Sequence, residues 1–278
     1  MAARLLLATG LALGATACET VAPNGPNVAE LVKENSTVTT TNITSLTDVI
    51  KANPSDPQAY NTRGVAYART GHYSEAIADF NQAVKFDPNY APAYTNRALA
   101  YRQTGRDDAA SADFNRAIAA DPNYTAAYIG RANLLRVQGH FDQALADLSK
   151  AIQLNPESAE AYHARALVYQ RQGQNQLAIK DFDSALDRDP FVAAPYTGRG
   201  QSLVAVGAYD KAIEDFNASL NVDNRNGDAW AGRGLAYERK GDKQQAIESY
   251  QRAISVDPNN ATAKQGLSRL QGGGGLFG

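Results

Sequence analysis

The chain has 278 residues, 44% of them hydrophobic and 20% charged, with a formal net charge of −2. That balance supplies no broad basic field for nucleic acid, and one cysteine excludes both an internal disulfide and a multi-cysteine metal site. The three histidines, His72, His140 and His163, are scattered too widely to suggest a metal centre.

In residues 1–17, MAARLLLATGLALGATA, Arg4 precedes a short apolar run from Leu5 to Ala15, and small residues follow. This is the pattern of a secretory signal peptide, and the run is too short to span a bilayer. Two cleavage readings stand. Ala15-Thr16-Ala17 fits simple release at a small-x-small site. The same residues precede Cys18, the sole cysteine, and resemble a bacterial lipobox in which Ala15 replaces the usual leucine. On that reading Cys18 is lipidated, and acyl chains contributing ~0.8 kcal/mol per buried CH₂ hold the protein stably at a membrane. Glu19 after the cysteine is compatible with an outer-membrane anchor facing the periplasm. Removing residues 1–17 takes one of the 27 basic residues and none of the 29 acidic ones, for a net charge of −3. Residues 18–43 then read as a lipidated cysteine and a polar, flexible tether, rich in Pro, Asn, Ser and Thr, with a reach of ~25–30 Å.

Leu46, Val49 and Ile50 carry helical spacing up to Pro54, so 44–56 is expected to hold an N-terminal capping helix. Beyond it one period governs the chain. Pro54, Pro88, Pro122, Pro156 and Pro190 recur every 34 residues, Asn224 stands where the next proline is expected, and Pro258 resumes the series. Gly71, Gly105, Gly139, Gly173, Gly207 and Gly241 keep the same period without a gap. Six units follow: 57–90, 91–124, 125–158, 159–192, 193–226 and 227–260. Position 4 is aromatic (Tyr60, Tyr94, Tyr128, Tyr162, Tyr196, Trp230), position 8 is Gly or Ala, and position 20 is always alanine. Position 24 is Phe80, Phe114, Leu148, Phe182, Phe216 and Tyr250.

Positions 4, 8 and 11 share one helical face, as do 20, 24, 27 and 28, so each unit is two amphipathic helices. Glycine at position 15 ends the first helix. Ser74, Asp108, Asp142 and Asp210 at position 18 are placed to cap the second. The Asp/Asn-Pro pair at positions 31–32 closes it. A single hairpin cannot bury its apolar face, but stacked neighbours can. Residues 261–271 read as a C-terminal capping helix with Leu267 and Leu270 inward and Lys264 outward, before a flexible tail over 272–278.

This pattern resembles the tetratricopeptide repeat over 57–260. The resemblance implies an all-α, right-handed α-solenoid whose first helices line a concave groove that binds protein segments. Carried onto this chain, it points to Asn61, Val65, Arg69, Thr95, Leu99, Arg102, Gln103, Ile129, Asn133, Arg136, His163, Leu167 and Arg171 as a peptide-binding groove. Its arginines suit carboxylates of a partner, but helix-surface arginines of this kind are also often merely solvated. The lysines of the family's carboxylate clamp are absent.

Two charged ladders run through the repeats. Arg63, Arg97, Arg131, Arg165, Arg199 and Arg233 occupy position 7, and Asp79, Asp113, Asp147, Asp181 and Asp215, then Ser249, occupy position 23. The arginines lie toward the packed side, which favours structural pairing over a ligand stripe. Pairing within a repeat and pairing to the preceding one fit the sequence equally well.

No nucleophile with a base and no phosphate-cradling glycine loop is present, so neither an enzyme nor a cofactor is expected. The expected function is that of a membrane-anchored periplasmic scaffold or adaptor for proteins or peptides of the cell envelope. The alternative is a structural assembly factor, such as a type IV pilus pilotin or an outer-membrane assembly subunit. Self-association through the open ends of the array is a further candidate.

Overall fold

The computed structural model describes the backbone of residues 36–272 and the side chains of 42–271. The expected signal peptide, Cys18, the first part of the expected tether and the tail beyond 272 lie outside the described residues. Fourteen helices follow one another there: α1 (Ser36–Ala52), α2 (Pro57–Arg69), α3 (Tyr73–Phe86), α4 (Ala91–Gln103), α5 (Asp107–Ala120), α6 (Thr125–Val137), α7 (Phe141–Leu154), α8 (Ala159–Arg171), α9 (Asn175–Arg188), α10 (Ala193–Ala205), α11 (Tyr209–Val222), α12 (Gly227–Lys240), α13 (Lys243–Val256) and α14 (Ala261–Gly272). The six pairs from α2 to α13 are the six sequence units, with α1 and α14 packed on the two ends. The N-terminal capping helix starts at Ser36, eight residues before the expected Thr44, so residues 36–43 continue α1 and are not tether.

Each first helix ends at its glycine, which takes φ of 72–90° in all six units. Only glycine enters this left-handed region without a steric cost. The amide of the next residue then reaches back to the carbonyl at position 11, as in His72 to Tyr67 (3.0 Å) and Arg106 to Tyr101 (2.8 Å). That wrap is tight, and it starts the second helix at position 17. Ser74, Asp108, Asp142 and Asp210 therefore fall inside the first turn and are not N-caps, which corrects the sequence expectation. Their place still suits acidic groups near a helix N-terminus. Among the second helices, only α13 has a side-chain cap, from Asp242 to the amide of Gln245 at 3.1 Å. At the other end, the position-31 side chain accepts the amide two residues on, as in Asp87 with Asn89 and Asp121 with Asn123, both at 2.9 Å.

Asn224, the break in the proline series, leaves the join between repeats five and six intact. Its carbonyl accepts Trp230 Nε1 at 2.9 Å. Pro54 and Pro122 carbonyls accept the hydroxyls of Tyr60 and Tyr128 in the same way, at 3.2 and 3.1 Å.

The core is one large side chain per repeat, a ring in five of the six, held between two backbones. Phe80, Phe114, Phe182, Phe216 and Tyr250 are fully buried. A Cβ on Gly64, Gly200 or Gly234 at position 8 would sit 2.6–2.8 Å from the ring of its own repeat. A Cβ on Gly130, Gly198 or Gly232 at position 6 would sit 2.4 Å from the ring of the preceding repeat. Where the ring is replaced by Leu148, position 6 of the next helix is Ala164, so the smaller core residue makes room for one methyl. Asn96 at position 6 opposite Phe80 departs from this rule.

First helices contact first helices of the next repeat (α2 with α4, α4 with α6, and on to α12 with α14), whereas no second helix contacts another second helix. The array therefore curves with its first helices inside. At the C-terminal end Leu267 and Leu270 of α14 pack on the Tyr250 cluster, and Arg269 holds Glu238 with two hydrogen bonds of 2.9 Å.

Candidate functional site

The position-7 arginines pair within their own repeat. Arg63 donates Nε and Nη2 to Asp79 at 2.8 and 2.7 Å, and Arg97 donates to Asp113 at 2.6 and 2.8 Å. Arg131–Asp147, Arg165–Asp181 and Arg199–Asp215 repeat the two-pronged geometry. Both alternatives left open by the sequence had one arginine facing serine. The structure assigns this to Arg233, whose Nε meets Ser249 Oγ at 3.1 Å. The remaining Nη1 in five of the six arginines reaches the second helix of the preceding unit: Arg63 to Thr47, Arg97 to Asn81, Arg131 to Asn115, Arg199 to Asp183 and Arg233 to Asn217, at 2.6–3.0 Å. Each of these five arginines thus joins three helices, whereas Arg165 is bonded to Asp181 alone. The position-25 acceptors were not singled out from sequence, although they recur with the same period.

The position-4 aromatic flanks every ladder arginine, and a position-11 tyrosine joins it at Arg63, Arg97 and Arg165; Arg97, for example, lies 5.4 Å from the Tyr94 ring and 6.0 Å from that of Tyr101. Hydrogen bonds donated to the aspartates hold Arg63, Arg131, Arg165 and Arg199 above the ordinary guanidinium pKa. Burial opposes this in Arg97, and Asp113 outweighs it. Arg233, without a carboxylate, is pulled down by burial. Five of the six ladder arginines are thus neutralised by an aspartate of their own repeat, and Arg233 is held by neutral acceptors alone.

The groove residues divide by depth. Val65, Thr95 and Ile129 are buried, with Val65 and Ile129 inside core clusters, so they form the floor and are not contact surface. Asn61 is half-buried and accepts Asn96 Nδ2 at 3.0 Å. Arg69, Leu99, Arg102, Asn133, Arg136, His163 and Leu167 are half-buried, and Gln103 and Arg171 are exposed. Position 34, which the sequence reading passed over, also belongs to this face. Asn226 Nδ2 donates to Thr197 Oγ1 at 3.0 Å, and Asn260 Nδ2 to Asp228 Oδ1 at 3.1 Å. Tyr124 in the same position has its phenol pushed up to about 12, chiefly by burial.

Arg102, Arg136 and Arg171 sit at the C-terminal ends of three successive first helices, α4, α6 and α8. Burial lowers the pKa of Arg102 and Arg136, and Arg136 is lowered further by Arg171 and Arg102. Arg136 Nε is buried without a hydrogen-bond partner. His163 is driven down to about 4, first by burial and then by Arg136. Of the acidic residues of the inner face, Glu160 and Asp228 occupy position 2, ~15 Å along their helices from positions 12–13; Glu238, at position 12 of α12, is held by Arg269, and Asp107 acts on Arg102. The groove therefore has a basic edge, and that edge is chemically suited to hold oxyanions rather than to catalyse.

Tetratricopeptide repeat models match residues 67–105, 132–173, 91–124, 159–191 and 227–260. The chain belongs to the tetratricopeptide repeat family. No curated protein matches it. Among solved structures it is similar to the anaphase-promoting-complex assembly Cut9–Hcn1 (TM-score 0.73, 21% identity), covering 81% of this chain but only 44% of that one. PilW, described as a widely conserved type IV pilus biogenesis factor, matches with TM-score 0.68 and 19% identity over 75% of this chain and 97% of its own. YrrB, a repeat protein with an unusual peptide-binding site, matches with TM-score 0.53 and 23% identity over 67% and 96%. At these identities the likeness concerns the fold.

Proposed function

We propose that this protein is an exported scaffold, anchored to the bacterial envelope through lipidated Cys18 and facing the periplasm, that holds envelope proteins by a segment laid in its concave groove. The observation that carries the binding role is the inner face itself. Half-buried Leu99 and Leu167 lie there on the same helices as Arg102 and Arg171, with Arg136 on the helix between, while five of the six ladder arginines are paired with aspartates of their own repeat. The anchoring role rests on the leader pattern and the position of the single cysteine. A second reading, a pilus or outer-membrane assembly factor, is favoured by the match to nearly the full length of PilW.

Affinity capture from an envelope extract with the full-length protein and its Arg102→Glu/Arg136→Glu variant tests the groove. A small protein set retained by the wild type and lost by the variant is expected. Equal retention by both would place recognition elsewhere. Metabolic labelling with a fatty-acid probe tests the anchor, which is abolished in Cys18→Ala; an unlabelled wild type would leave plain secretion. Loss of pili on deletion would select the assembly role.

A further inference from the structure

Outside the groove, second helices end and first helices begin along the edge opposite Arg102, Arg136 and Arg171. We infer that this edge, around Phe191, is a docking surface for a cationic amphipathic segment of another protein. Phe191 is 84% exposed, the most exposed large hydrophobic side chain among the described residues. It occupies position 33, where the other five units carry Asn89, Asn123, Glu157, Arg225 and Asn259. The turn needs no ring there, because the backbone amide alone serves it. Phe191 N donates to Asp189 Oδ1 at 3.0 Å, as Asn123 N does to Asp121 Oδ1 at 2.9 Å. That bond and Pro190 fix the local backbone, so the ring is displayed on a rigid turn. An aromatic group held in this way gives up little freedom on binding.

Neighbouring residues extend the ring into a patch. Each hairpin brings the start of its first helix to the end of its second: Tyr60 stacks on Phe86 at 5.6 Å, and a Cβ on Gly227 would lie 3.6 Å from Val256 Cγ2. In the α10–α11 hairpin the same meeting sets Phe191 and exposed Pro190, just ahead of α10, at the end where Val222 closes α11. Val222 is 44% exposed, and Val256, closing α13, carries the apolar row into the next unit. The rim of this row is acidic. Asp189, Asp223 and Asp257 follow the ends of α9, α11 and α13, each with Oδ1 accepting the amide two residues on. Glu157, at position 33 of the preceding turn, is 82% exposed. Arg188 is engaged by the carbonyls of Pro156 and Ser184, at 2.7 and 2.8 Å, which leaves Arg225 as the exposed cation of this stretch. An apolar row set among carboxylates matches a partner whose own apolar stripe is flanked by lysine or arginine. The same rim repels an anionic bilayer surface.

The test uses the full-length folded protein and two capped amphipathic helical peptides with leucine along one face, one flanked by lysine and the other by glutamate. Fluorescence anisotropy is expected to show the lysine peptide binding roughly tenfold tighter, with the preference shrinking as salt is raised. Phe191→Asn, which copies the residue of three other turns, should weaken that binding roughly tenfold while keeping the urea midpoint. Val137→Asn, which removes a 66% exposed apolar group from the other edge, should leave it unchanged. Equal binding of the two peptides, or wild-type binding by Phe191→Asn, overturns the inference. Co-sedimentation with phosphatidylcholine vesicles that Phe191→Asn abolishes would make the edge a lipid contact and overturn it as well. So would concentration-dependent self-association lost in Phe191→Asn, since the occupant would then be a second copy of this chain. None of these outcomes bears on the groove, which the Arg102→Glu/Arg136→Glu capture tests separately.

Discussion

Asp113→Ala isolates what the ladder contributes. Asp113 is completely buried and accepts Arg97 Nε at 2.6 Å, Arg97 Nη2 at 2.8 Å and Arg116 Nη1 at 2.9 Å. Arg97 itself is 8% exposed, so water cannot replace the carboxylate. After the substitution only Asn81 Oδ1 and the two tyrosine faces remain to Arg97. Removing one partner of such a pair costs ~3–5 kcal/mol, because it strands the other charge. The double variant Arg97→Met/Asp113→Leu removes both charges at similar volume and should lie within about 1 kcal/mol of the wild type. Stability in a repeat array is a sum over neighbours, so the loss should be local. Hydrogen exchange followed by mass spectrometry should show peptides of α4, α5 and α6 exchanging roughly 10³-fold faster, equivalent to about 4 kcal/mol, with α12 and α13 unchanged. If Asp113→Ala costs under about 1 kcal/mol, or the double variant is as unstable as the single, the ladder is not the clamp described.

The remaining predictions concern packing, the odd ladder rung and pH. Gly130→Ala drives a methyl to 2.4 Å from Phe114 Cε1 and should cost about 1–3 kcal/mol. Adding Phe114→Leu, which copies the Leu148/Ala164 pairing, should recover at least about 1 kcal/mol in a double-mutant cycle, and strict additivity would reject the size coupling. Ser249→Asp gives Arg233 the carboxylate that the other five arginines have and should raise the melting temperature, by about 1 kcal/mol of stability; a lower melting temperature would mean desolvation wins. His163 titrates at about 4 when folded against 6.5 unfolded, so its contribution is complete above pH 6.5 and is lost as pH falls through that window. About 2 kcal/mol should disappear by pH 5, seen as a falling urea midpoint. His163→Gln should flatten that part of the profile, and an unchanged profile would show that His163 is not held neutral.

Much of the fold was legible in the chain because it is local. A strict 34-residue period, a glycine after each first helix and aromatic and alanine positions at helical spacing fix each hairpin, and each hairpin has only its neighbours to pack against. The helix boundaries were less legible. The start of the second helices depends on how tightly the left-handed glycine turn wraps, which placed Ser74, Asp108, Asp142 and Asp210 inside the helix. The position-6 glycines were visible as residues, but their purpose appears only when the ring of the preceding repeat is seen against them.

The sequence by itself determined the repeat number, the helix faces and the existence of two complementary charged ladders, since all three follow from periodicity. Tertiary structure alone decided which aspartate each arginine meets, because residues 16 apart and residues one repeat further away are equivalent in a periodic string and become distinct only when the helices stack. It also decided which groove residues remain accessible: the curvature that brings first helices together sinks Val65, Thr95 and Ile129 into the floor and leaves Arg102, Arg136 and Arg171 as neighbouring cations along one edge.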